Sequence, residues 1–222
     1  MLLLAIDTSG KHGSIALARC GPGDACEVLE VVPLTGGTFS AQLVPQIAEL
    51  LNKHGFTKHD LGGFAAASGP GSFTGLRVGL AAIKALAEAL KKPIAAVSLL
   101  EAVAVAGARE DKLYAALDAG RGEIYVGEYE RGKLTAFGEK LLTREEFLDL
   151  SRGRMVMTPD PSISEGAQKA GADVIVIEHP RSDAIARLGW KRLQAGQTIA
   201  PEELEANYIR RSDAEIFSRT GS

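Results

Sequence analysis

Residues 3–18, LLAIDTSGKHGSIALA, and residues 114–129, YAALDAGRGEIYVGEY, follow one plan: an apolar strand ending in Asp, a turn of small residues, and a second alternating strand. Self-similarity at this spacing points to an internal duplication, which restricts the fold more than any other feature of the chain. The flanking patterns extend it. Apolar runs bounded by turn residues read as strands at 2–8, 14–20 and 26–33. A helical period follows at 40–54 (Leu43, Ile47, Leu50, Leu51), then a strand at 63–67, a helix at 74–91, the strand IAAV and a helix at 98–108. The second half adds a strand at 133–141, a helix at 143–150, a strand at 154–158, a helix at 162–170, the strand DVIVIE and a helix at 182–195. Three hairpin-linked strands followed by alternating helices and strands imply an α/β protein with mixed sheets covered by helices. The expected division is a first lobe at 1–108, a smaller second lobe at 109–200 and a polar tail at 201–222, partly ordered at best.

Charge and cysteine content limit the functions open to this chain. The net charge is −3 and the pI about 5.9, so no global basic field holds nucleic acid unaided. Arg210 and Arg211 are too few to track a phosphate backbone. Cys20 and Cys26 could face each other across a hairpin, but two thiols in a chain of 222 residues fit a reduced compartment better. Asp7 interrupts the N-terminal apolar run too early for a signal-peptide core. No run approaches the roughly 18–20 apolar residues of a membrane span. The expected location is cytoplasmic.

Two glycine-bearing turns carry whatever chemistry the sequence offers. In DTSG (7–10), Asp, Ser and Gly are ordinary turn formers, and that alone accounts for them. A phosphate site is the alternative, with hydroxyls and backbone N–H groups on the oxygens. SGPGSFTG (68–75) is not a Walker A loop, because Leu76 follows Gly75 in place of Lys. With Phe73 at its centre it is not a nucleophile elbow either. It does open a helix, with Ser72 and Thr74 as plausible caps and N–H groups able to receive an anion. On that helix Arg77, Lys84, Glu88 and Lys91 form one polar stripe, and the remaining arc of about 220° is apolar. Since a helix needs about 100° to cover a sheet, this one has contact surface left for a second chain. His12, His54, His59 and His179 form no paired metal-ligand spacing, and Cys20 and Cys26 have no zinc spacing.

LAIDTS, SGPGSFTGLRVGLAAIKALA and PIAAVSLLEAVA together resemble the bacterial TsaB (YeaZ) family. The resemblance covers residues 1–110 strongly and 111–222 by pattern, with ANYIR (206–210) resembling a tail motif. It implies two duplicated RNase H-like lobes of the actin, Hsp70 and sugar-kinase superfold. It further implies a non-catalytic role in making threonylcarbamoyladenosine beside the tRNA anticodon. The implied partners are a TsaD-like catalytic subunit, which carries the metal, and a TsaE-like ATPase, with tRNA reached only through the complex and a homodimer when alone. No cofactor is expected in this chain. Where TsaD has metal-binding histidines, this chain reads SLLEA (98–102) and TFSAQLVP (38–45), with Phe39 at the aligned place. On this reading Asp7, Thr8, Ser9, Gly69, Gly71 and Ser72 are a vestigial phosphate loop. Leu76, Arg77, Gly79, Leu80, Ile83, Lys84 and Ala87 form the partner-binding face, so Leu80→Glu or Ile83→Glu would abolish association and leave the monomer folded. The competing readings are a kinase-like or ATP-hydrolysing enzyme using Asp7 and Asp118 with a metal, and a metallopeptidase, for which no ligand set is found.

Overall fold

Every residue of LLLAID (Leu2–Asp7, β1) is buried, which a strand achieves only when both faces of its sheet are covered. A computed structural model describes residues 1–35, 39–107 and 112–209. In it β1 is the middle strand of five, ordered β3-β2-β1-β4-β5. β2 (His12–Cys20) and β3 (Cys26–Thr35) run as an antiparallel meander from β1. β4 (Leu61–Gly69) and β5 (Ile94–Ser98) are added in parallel on its other side. Helices α1 (Phe39–Lys53) and α2 (Phe73–Leu90) cover one face. There Leu4, Ile6, Leu43, Ile47, Leu80 and Ile83 share one core.

The second sheet repeats the plan. β6 (Lys112–Gly120), β7 (Glu123–Glu130) and β8 (Lys133–Thr143) form the meander, with β9 (Met155–Thr158) and β10 (Asp173–Val176) parallel to β6. The order is β10-β9-β6-β7-β8, the first sheet's order strand for strand. Its helices are α3 (Leu99–Ala106), α4 (Arg144–Ser151) and α5 (Pro161–Lys169). Thr143 and Glu146 start α4 with a reciprocal capping box, satisfying N–H groups that the helix itself cannot.

The helices do not divide as the sequence order suggested. Among the described residues, the first structural unit is Met1–Ser98 with Pro180–Asn207, and the second is drawn from Leu99–His179 with Tyr208 and Ile209. α3, expected in the first lobe, packs on β6 and β7. α6 (Ser182–Gln194), expected in the second, packs on β1, β2, β4 and β5. An apolar face records that a helix must be covered, not which of two similar sheets will cover it. Gly189 marks how close α6 lies, since a Cβ there would collide with Cβ of Ala65.

The beginning of the expected tail is also placed. Ile199 bridges Ile94 with a 3.0 Å N–H···O bond, Leu204 is buried, and the Asn207 amide donates to Ser68 O at 2.7 Å. Residues 199–207 therefore finish the β5 edge and cap the core beside α2. Leu204 supplies the apolar anchor that the polar composition of this stretch conceals. Arg210, Arg211 and the rest of the tail lie outside the described residues.

Candidate functional site

The DTSG turn and the glycine loop, about sixty residues apart in sequence, meet at the end of β1. Asp7, Thr8 and Ser9 are all nearly inaccessible. Asp7 Oδ1 accepts from the Ser9 amide at 2.9 Å and from its hydroxyl at 2.5 Å, which closes the turn on itself. Thr8 Oγ1 donates to Gly75 O at 2.7 Å, and the Ser72 amide donates to Ser9 O at 2.6 Å. Ser72 caps α2 by accepting from the Gly75 amide at 3.2 Å.

The glycines follow from this clasp. A Cβ on Gly71 would collide with Ser9 O, one on Gly75 with Thr8 O, and one on Gly79 with Thr8 Oγ1. Gly69 has φ +113°, open to glycine alone, and faces Leu76 and Asn207 O. The six residues read as a vestigial phosphate loop are thus neighbours, and the bonds described for Thr8, Ser9 and Ser72 run to one another, to Asp7 and to Gly75. The Ser72 and Gly75 amides, two of the donors an anion at this helix start would take, are committed within the unit. In the second unit Asp118 behaves similarly: its Oδ1 accepts from the Gly120 amide at 3.0 Å, while its own amide donates to Asp160 Oδ2 at 2.8 Å. Among the described residues, no three His, Cys, Asp or Glu side chains converge as metal ligands. Phe39, where the resemblance set a histidine, packs into the first core.

A close test of the clasp is Gly75→Ala. Alanine favours a helix interior over glycine by about 1 kcal/mol, but here the methyl meets the Thr8 carbonyl. Overpacking of this kind costs about 1–3 kcal/mol, so the urea midpoint is expected to fall. An unchanged or higher midpoint would show that the turn and loop are not packed as described.

The partner-binding face expected on α2 needs correction. Leu76, Gly79, Leu80, Ile83 and Ala87 are buried, and Leu80, Ile83 and Ala87 lie in the core against their own sheet. Gly79 makes room for Thr8, not for a second helix. Of the expected residues, Arg77 is exposed and Lys84 half-buried. With about 220° of apolar arc, two faces were available, and the sheet took the one with the larger side chains. The other presents Phe73, Ala81, Ala85 and Ala89 to solvent. The Arg77 guanidinium stacks 3.6 Å from the Phe73 ring centre.

α1 contributes to this surface as well, outside the residues expected on α2. Its Leu43, Ile47 and Leu50 are buried while Ala41, Val44 and Ala48 are exposed, Val44 by 62%. Because α1 packs beside α2 in the same layer, the two solvent-facing apolar stripes adjoin. The 41/44/48 spacing was a readable signal, being a second helical stripe offset from the 43/47/50 one. No described helix is long and apolar enough to cross a membrane.

Residues 31–182 match the family model for TsaD, tRNA N6-adenosine threonylcarbamoyltransferase. The chain is 38% identical over 131 residues to the tRNA threonylcarbamoyladenosine biosynthesis protein TsaB of Bacillus subtilis. That match covers 59% of the chain and 56% of the relative, so the aligned part spans little more than half of that protein. TsaB of Haemophilus influenzae is 31% identical over 169 residues, covering 74% of the chain and 67% of the relative. The solved structure of YeaZ from Pseudomonas aeruginosa superimposes with a TM-score of 0.74 at 24% identity, covering 93% of this chain and 99% of that one.

Proposed function

Because the chain belongs to the TsaB (YeaZ) family, we propose that it serves threonylcarbamoylation of tRNA adenosine as the non-catalytic partner of a TsaD-like subunit. Its fold is the duplicated RNase H-like architecture of the actin, Hsp70 and sugar-kinase superfold. The observation carrying the reading is the exposed apolar layer of α1 and α2, with Val44, Ala81 and Ala85 open to solvent and Phe73 partly exposed beneath Arg77. Small side chains there allow two more helices to approach closely, at separations near the short end of the 8–10 Å range. A TsaD-like subunit, whose family model matches most of this chain, offers a related pair of helices for that layer.

In this assembly the chain positions and stabilises its partner, while ATP and the metal belong to the partner subunits. A TsaE-like ATPase joins the pair, and tRNA is reached through the complex, in keeping with a net charge of −3. Alone, the chain forms a homodimer through the same layer, in the cytoplasm. The test mixes this protein with the TsaD homologue of the same source and follows mass by light scattering, with and without ATP. A one-to-one complex growing at the expense of the homodimer is expected. No complex under any nucleotide condition would overturn the assignment.

A further inference from the structure

Cys20 ends β2 and Cys26 begins β3, and the two stand directly opposite across the antiparallel pair. The Cys20 amide donates to Met1 O at 2.8 Å, and its carbonyl accepts from the Met1 ammonium at 2.5 Å. Both backbone groups of Cys20 thus point away from β3. The cysteines are therefore a non-hydrogen-bonded cross-strand pair, the closer type, with Cα atoms about 4.5 Å apart. That spacing lies within the range disulfides span, about 4.4–6.8 Å. The sulfurs already face each other at 2.7 Å.

The two thiols are unequal. Cys20 is 2% exposed, whereas Cys26 is half-buried. The Cys20 S–H bonded to it, and then the Arg187 guanidinium, hold the Cys26 thiol below its ordinary range. Its hydrogen bond to Cys26, together with burial, pushes Cys20 up. A half-buried thiol held below its ordinary range beside a buried one pushed up is the division of labour that thiol–disulfide exchange uses.

The turn joining them is fixed from outside. Trp190 Nε1 donates to Gly23 O at 3.1 Å, Gln194 Nε2 to Gly21 O at 3.3 Å, and Lys191 Nζ lies 3.4 Å from Asp24. All three come from α6, on the sheet face opposite α1 and α2. The cysteines are held in register without being bonded, so closing the bond asks little of the backbone.

We propose that Cys20 and Cys26 form a thiol–disulfide modification site that takes small-molecule disulfides as its substrate class. The Cys26 thiolate attacks one sulfur of the small disulfide, forming a mixed disulfide and releasing one small thiolate. That thiolate takes the Cys20 proton. Cys20 Sγ then attacks Cys26 Sγ, the intramolecular bond forms, and the second small thiolate leaves and takes up the proton first lost by Cys26. The protein loses two hydrogens, and the small disulfide becomes two thiols.

The probe is oxidised glutathione, applied to the full chain in graded mixtures with reduced glutathione. Free thiols, intact mass and the emission of Trp190, the single tryptophan, are followed together. The wild type is expected to lose both thiols in one step and two hydrogens of mass, without accumulating an adduct, and Trp190 emission is expected to shift reversibly. Cys20→Ser (or Cys20→Ala, should serine disturb the buried position) is expected to trap a stable glutathione adduct on Cys26. Cys26→Ser is expected to take up none. Adduct accumulating on wild-type Cys26 without ring closure, or wild type keeping both thiols under conditions that load Cys20→Ser, would overturn the proposal. So would equal loading of the two single variants.

Discussion

Ile83→Glu is expected to leave no folded protein, although the helical wheel alone suggests a harmless surface change. Ile83 has no exposed surface and sits among Ile6, Leu43, Ile47, Phe64 and Leu80. Removing its side chain from that core forfeits about 1.5–3 kcal/mol of transfer free energy. A carboxylate in its place adds a desolvation cost of several kcal/mol, or must bind a proton to avoid it. The sum is comparable with the whole stability of an ordinary domain, about 5–15 kcal/mol. Circular dichroism and urea unfolding of the purified variant would decide the matter. A cooperative transition near the wild-type midpoint would mean that this face of α2 is not in the core.

Ala85→Arg is expected to do the opposite, leaving the fold intact and abolishing partner binding. Ala85 is exposed on the far side of α2 from Ile83. Arginine is nearly as good a helix former as alanine, so stability should change by less than about 0.5 kcal/mol. In an interface built from close-packed small side chains the guanidinium would be buried without a prepared partner. Leaving a charge unpaired in an interface costs about 2–5 kcal/mol, a loss of roughly 30- to several-thousand-fold in affinity. Light scattering of the variant mixed with the TsaD homologue reads the affinity, and a thermal melt reads the fold. Undiminished complex formation would remove the α1–α2 layer from the interface. A collapsed melting temperature would instead contradict the burial pattern.

These two predictions separate what α2 discloses in sequence from what it conceals. Its start between Ser72 and Thr74, its length and its excess of apolar surface were all legible, because capping and helical period are local properties. Which arc meets the sheet was not. Leu76, Leu80 and Ile83 on one side and Val78, Ala82 and Ala85 on the other both satisfy a helical stripe. Only the space beneath the helix, limited by the Thr8 clasp at Gly75 and Gly79, chooses between them. The same glycines looked like a phosphate loop because phosphates and close backbone contacts make the same demand, a backbone without a Cβ.

The sequence by itself determined the duplicated strand-strand-strand-helix plan, the element boundaries to within a few residues, and the family through LAIDTS and SGPGSFTG. Each of these rests on neighbours in the chain, where period, cap and turn chemistry act. Tertiary structure alone decided that α3 and α6 cover each other's expected sheets, that Leu204 anchors the residues after Ile199, and that Cys20 and Cys26 stand in register under the grip of Trp190. In each of these cases the deciding contact joins segments that one-dimensional patterns leave equivalent, and only the filling of a shared core distinguishes them.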